Sequence, residues 1–126
     1  MSTSAYFSFE QAAPNPSVKG VYDISPKDLT NCLGKVCVVD VRRPDEWVGE
    51  YGHIEPALLI TLDTLPMRQS ELPTDKTIVF VCRSGGRSAR AAEWAKENGF
   101  AKVYNMQGGM IEWSQNGYPS VNKNKS

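Results

Sequence analysis

Apolar residues along this chain gather in short runs separated by polar, helix-compatible stretches. Val36-Cys37-Val38-Val39 is a continuous β-rich run without alternation, the mark of a strand buried on both faces. Thr77-Ile78-Val79-Phe80-Val81 is the strongest strand pattern in the sequence. A third apolar run covers 57–60, and Val21-Tyr22 and Val103-Tyr104 predict two shorter strands. Between the runs lie helix signals. Ser25-Pro26-Lys27-Asp28 supplies an N-cap, a proline at the first helical position and an acid in the first turn, and the helix should stop near Gly34. Residues 44–51 predict a short helix, and 64–71 a weaker one interrupted by Pro66. An alanine-rich helix is expected over 87–98 with Gly99 as its left-handed stop, and a last helix over 109–116 stopped by Gly117 with Pro119 beyond. Strands alternating with helices imply an α/β fold, a parallel sheet with helices on both faces. Ligands in such folds sit beyond the C-terminal ends of the strands, and the segment after Val81 occupies that place.

Both ends depart from this pattern. Residues 1–19 are rich in Ser, Ala and Pro without a period and read as a loose or surface-draped N-terminal arm. The domain proper is expected over 20–120, and 121–126 as a tail with no apolar residue after Val121. The 126 residues suit one domain, and 40% hydrophobic content suffices for a core without metals or disulfides. Fourteen basic residues balance fourteen acidic ones, so bulk charge provides no drive toward nucleic acid or an acidic membrane. Three cysteines argue against a disulfide framework, and a single histidine without a CxxC pair argues against structural zinc. Neither metal nor cofactor is expected. No apolar run has the length of a secretory or membrane-spanning segment, which makes the cytoplasm the expected location.

The chemistry concentrates in Cys82-Arg83-Ser84-Gly85-Gly86-Arg87-Ser88. A thiol stands where a buried strand ends. Two glycines let the backbone curl and turn its N–H groups inward. The loop runs into a helix N-terminus, two arginines lie within it, and Arg90 follows one turn later. Each of these favours a thiolate and an anionic substrate.

This loop resembles the active-site loop of the rhodanese-domain sulfurtransferases. Asp40-Val41-Arg42 with Glu46, then Gly52-His53-Ile54 and Ala57, is similar to that family's first motif. Gly108-Gly109, Trp113, Gly117 and Pro119 are similar to its C-terminal motif, so the likeness spans about 21–119. The resemblance implies a three-layer fold on a central five-stranded parallel sheet, a persulfide on Cys82, and transfer of sulfur from an anionic donor such as thiosulfate. The acceptor would be cyanide, a small thiol or a thiol protein. By motif match Cys82 is catalytic, Arg83, Ser84, Gly85, Gly86, Arg87 and Ser88 form the donor-binding loop, and Arg83 steers the anion. Pro56 departs from the family's glycine before Ala57, so the turn there must be built differently.

Asp40, at the end of a buried strand, either orients the loop or satisfies nearby backbone donors, with Arg42 as a second supporting residue. Arg42 and Glu46 are spaced to pair across a turn. His53 is expected to be structural, since attack by a thiolate needs no general base. Cys37 lies in an apolar strand and should be inert, while Cys32 near a helix end has room to be exposed. Trp94 and Trp113 are expected at the core or its edge, and Trp47 and Tyr51 in buried packing.

Two rival functions share the loop. A Cys-dependent phosphatase or arsenate reductase also uses a Cys loop ending in Arg, but its signature has five intervening residues and this chain has four. A sulfur carrier for a partner protein would use the same residues as the enzyme.

Overall fold

The computed structural model describes residues 6–121. Six strands form one sheet: β1 (Ala13–Pro14), β2 (Tyr22–Ile24), β3 (Cys37–Asp40), β4 (Leu58–Leu59), β5 (Ile78–Val81) and β6 (Val103–Met106), in the order β1-β2-β6-β5-β3-β4. The five expected strands pair in parallel, and β1 adds an antiparallel edge to β2. The helices are α1 (Pro26–Thr30), α2 (Pro44–Trp47), α3 (Gly86–Glu97) and α4 (Gly109–Gln115). Ser25 caps α1 as its sequence requires, accepting from the Asp28 N–H at 3.1 Å. The helix expected over 64–71 is replaced by two single 3₁₀ turns, Leu62–Thr64 and Gln69–Glu71, and the one over 44–51 is cut to four residues. Pro66 lacks the N–H that a continuous helix would need.

The unbroken apolar strands are explained by two cores, one on each face. Phe80, Ile78 and Val39 turn to the side covered by α3, whose Ala89, Ala92 and Ala95 let it lie close. Val79, Val81 and Val38 turn to the side covered by α1 and α4, where Leu29, Met110 and Trp113 are fully buried. Alternation within each strand sends successive residues to opposite faces, so both must be apolar.

The arm is not loose over its described part. Phe7 packs edge-on to Phe9 at 5.0 Å, and Phe9 edge-on to Tyr104 at 4.9 Å. The Phe7 N–H donates to Thr77 Oγ1, and Val18 enters the α3-side core. The anchors are irregularly spaced because the segment follows the surface rather than its own helical or strand period. Residues 1–5 of the arm and 122–126 of the expected tail lie outside the described residues. Val121 pairs with His53 through two backbone hydrogen bonds. The turn before β4 carries a cis Glu55–Pro56 bond in place of glycine.

Candidate active site

Cys82 follows the last residue of β5, and three residues separate it from the start of α3. The segment between curls tightly because Gly85 takes φ +104°, a conformation side chains rarely adopt. This curl brings the Gly85 N–H to 3.1 Å and the Ser88 N–H to 3.3 Å from Cys82 Sγ. Ser88 Oγ lies 3.3 Å from the same sulfur. Cys82 is 1% exposed, so the donors act where water screens little.

The first two carbonyls of this loop are engaged by α4. The Met110 N–H donates to Cys82 O at 2.8 Å and the Ile111 N–H to Arg83 O at 3.0 Å. So close a seat requires Gly109: a Cβ there would lie 2.4 Å from the Arg83 carbonyl, and its φ is +57°. The paired glycines of the C-terminal motif thus serve the cysteine loop, a role that spacing alone did not reveal.

Two ion pairs brace the site, and neither is the expected one. Arg42 does not pair with Glu46. Its guanidinium is bound by Asp40 through Nε and Nη2, at 2.9 and 2.8 Å, and it donates a further bond to Gly52 O. Asp40 and Arg42 are both buried, so each needs a full partner, and the end of β3 supplies them to each other. Asp40 therefore braces the segment leading to His53, and its described side-chain hydrogen bonds go to Arg42. Glu46 instead reaches across to Arg87, with Oε1 and Oε2 each 2.8 Å from a guanidinium nitrogen. This bidentate bond pulls the Glu46 carboxyl down to about 2 and raises Arg87. Arg87 is thus bound within the protein, while Arg83 is exposed with its guanidinium 5.7 Å from the Tyr51 ring.

The other candidates fall into supporting places. His53 stacks on Trp47 at 3.4 Å, and its Nδ1 lies 3.0 Å from Trp47 O, which suits the structural role expected. Trp47 and Tyr51 are half-buried, and Trp113 is fully buried with its N–H on Pro119 O. Cys32 is buried at 2% exposure rather than open to solvent, and burial beside Asp28 pushes its thiol up to about 11. Burial also raises Cys37. Serine 84, Gly85, Gly86 and Arg87 line a cavity of about 670 Å³, and Asn15, Pro16, Ser17 and Val18 of the arm form part of its wall. Sequence reasoning missed Asn105 and Asp23, which line the same cavity and are buried; a polar residue inside the apolar β6 pattern was the available signal. Among the described residues there is no cluster suited to a metal ion, and no helix long and apolar enough to cross a membrane.

A model of the rhodanese-like domain matches residues 25–116. A protein of Allochromatium vinosum named as a sulfurtransferase is 40% identical over 104 residues, covering 80% of this chain and 95% of that one. The crystal structure of a rhodanese-related protein from Thermoplasma volcanium superposes with a TM-score of 0.74 at 31% identity, covering 80% of this chain and 98% of the other. A Rhodopseudomonas palustris protein, described as of unknown function and a possible tyrosine phosphatase, gives 0.72 at 27% identity over 80% and 85%. The extent of these matches, on a sheet that ends in the cysteine loop, means that the chain belongs to the rhodanese-like domain family.

Proposed function

We propose that this chain is a sulfurtransferase that moves sulfane sulfur from a small anionic donor such as thiosulfate to a thiophilic acceptor through a persulfide on Cys82. The observation that carries the reading is the set of groups around Sγ: two backbone N–H donors and a hydroxyl within reach, with the Cys82 and Arg83 carbonyls engaged by α4. Hydrogen bonds to a charged group contribute about 1.5–3 kcal/mol each; the two N–H groups are in place before charge arrives, and the hydroxyl lies within reach of it.

In the first half-reaction the Cys82 thiolate attacks the outer sulfur of thiosulfate. A new S–S bond forms, the donor's own S–S bond breaks, and its electron pair leaves with sulfite. The persulfide anion takes over the loop's donors. In the second half-reaction cyanide or a thiolate attacks the outer sulfur, the persulfide bond breaks, and the Cys82 thiolate returns with thiocyanate or a new persulfide as product. This is covalent catalysis in two separable steps. Arg83, exposed at the rim, attracts the donor anion, and Arg87 serves through Glu46 to anchor the loop. The cytoplasm remains the proposed location.

The test is to mix the protein with thiosulfate alone. One sulfur atom should appear on the intact mass with sulfite released in proportion, and cyanide should then restore the starting mass. Turnover without sulfur on Cys82 would sink the reading. The second reading, a phosphatase, is favoured by the Rhodopseudomonas neighbour. Against it, four residues between Cys82 and Arg87 make a ring one short of the phosphatase signature. Steady hydrolysis of an aryl phosphate that disappears in Cys82→Ser would establish it instead. A carrier for a partner protein would form the persulfide and show slow release to cyanide and small thiols.

A further inference from the structure

Ser88 Oγ is within hydrogen-bond distance of two groups, Cys82 Sγ at 3.3 Å and, closer still, Asn105 Oδ1. A serine hydroxyl carries one proton and so donates to only one of them at a time. Which one depends on the Asn105 amide. That amide is fully buried on β6, and its Nδ2 donates to Asp23 Oδ1 at 2.9 Å. A carboxylate offers no proton, so it holds the NH₂ end of Asn105 toward itself and the carbonyl end toward Ser88. Asp23 is fixed in turn: Asn15 of the arm donates to the same oxygen at 2.9 Å, and Asn15 Oδ1 accepts the N–H groups of Ser17 and Val18.

We propose that Asp23 and Asn105 are positioning residues that set the direction of the Ser88 proton and thereby the charge state favoured at Cys82; this rests on Cys82 being the sulfur-accepting nucleophile. In the resting protein the Ser88 proton lies on Asn105 Oδ1. The Ser88 lone pairs then face the sulfur, an arrangement that suits a thiol donating S–H to Oγ. When Cys82 carries negative charge, as thiolate or persulfide, the hydroxyl turns to the sulfur and gives up its bond to Asn105. The relay therefore opposes charge at rest and yields a donor once charge is present. No covalent bond changes; only one hydrogen bond is exchanged for another. The other charges around the loop include Arg83, Arg87 and Arg90, Glu46 from α2, and the Asp40–Arg42 pair at the end of β3. None of these touches Ser88 Oγ or the Asn105 amide among the described hydrogen bonds.

The experiment is the rate of Cys82 alkylation by iodoacetamide against pH in the full-length protein, followed by peptide mass spectrometry. Asn105→Ala removes the competing acceptor and should move the midpoint toward acid by about one pH unit, a roughly tenfold gain on the acidic limb. Ser88→Ala should move it the other way. The decisive arm is the double variant: in a Ser88→Ala background, Asn105→Ala should move the midpoint by less than about a quarter of its single effect. Asp23→Asn, which keeps an acceptor for both amides, should retain the parental profile, and Asp23→Leu should copy Asn105→Ala even if the latter folds poorly. An Asn105→Ala shift that is absent, or equal in both backgrounds, would overturn the relay while leaving the sulfurtransferase reading intact. A parental Cys82 that neither alkylates nor takes up sulfur would overturn both.

Discussion

Cys32 and Cys82 are buried almost equally, at 2% and 1% exposure, yet the groups around the two sulfurs are opposite in kind. Cys32 follows the end of α1, and its thiol donates toward the carbonyls of Asp28 and Leu29 at 3.5 and 3.7 Å. Those oxygens belong to the negative end of a helix. Cys82 precedes the start of α3 and meets N–H groups and a hydroxyl. Burial alone therefore does not decide whether a cysteine is chemically useful. The sign of the nearest dipoles decides it, because a buried charge is tolerated only where donors already point at it.

The largest expected effect tests that contrast directly. Cys82→Ser should abolish both the thiosulfate adduct and turnover, while Cys32→Ser and Cys37→Ser keep the adduct, as read by intact mass. Native protein at pH 8 should take iodoacetamide on Cys82 and leave Cys32 unlabelled, because the Cys32 thiol stays protonated until about pH 11. Labelling of Cys32 first would break the comparison.

Next in size is Gly109→Ala. Its Cβ would meet the Arg83 carbonyl at 2.4 Å, so α4 must withdraw and free the loop carbonyls to turn toward the sulfur. We expect kcat with thiosulfate to fall by about tenfold or more, with a stability cost of about 1–3 kcal/mol by urea titration. Unchanged kinetics would show that α4 is not what keeps acceptors away from Cys82.

Arg83→Ala should act on donor capture, raising KM for thiosulfate about five- to tenfold with kcat nearly unchanged, since the contact forms with the ground-state anion too. A collapse of kcat at constant KM would move Arg83 into the chemical step.

The smallest effect concerns the Glu46–Arg87 brace. The folded Glu46 carboxyl is depressed to about 2 from its ordinary 4.5, so its contribution is complete above pH 4.5 and is lost as pH falls toward 2. The pair is partly solvated, with Arg87 34% exposed, and is worth about 1 kcal/mol after screening. Glu46→Gln should therefore be less stable than the parent by about that amount at pH 7, and the gap in urea midpoints should narrow between pH 4.5 and 2. A gap independent of pH would assign the effect to packing.

Much of this molecule was legible beforehand because the relevant signals are local. Val79 and Phe80 face opposite cores, so β5 had to be apolar throughout, and a continuous run announces that. Gly85 bends the loop at a φ that favours glycine, and the thiol at the strand end marks the site. The missing parts depend on how the chain bends and packs. Arg42 looked to Glu46 by helical spacing, but the chain bends back at the end of β3 and gives Arg42 to Asp40, while Glu46 meets a partner 41 residues away. The arm showed no period, yet Phe7 and Phe9 dock on Thr77 and Tyr104.

The sequence by itself determined the five parallel strands, the helices α1, α3 and α4 and the position of Cys82, because those follow from side-chain period and local backbone preference. Only the tertiary structure decided which groups face that sulfur. Gly109 and α4 hold the Cys82 and Arg83 carbonyls, Ser88 supplies a hydroxyl, Asn105 reaches that hydroxyl from β6, and Asp23 on β2 holds Asn105. The reason is that hydrogen bonds between distant segments depend on where the packed sheet places them, and no local pattern encodes that distance.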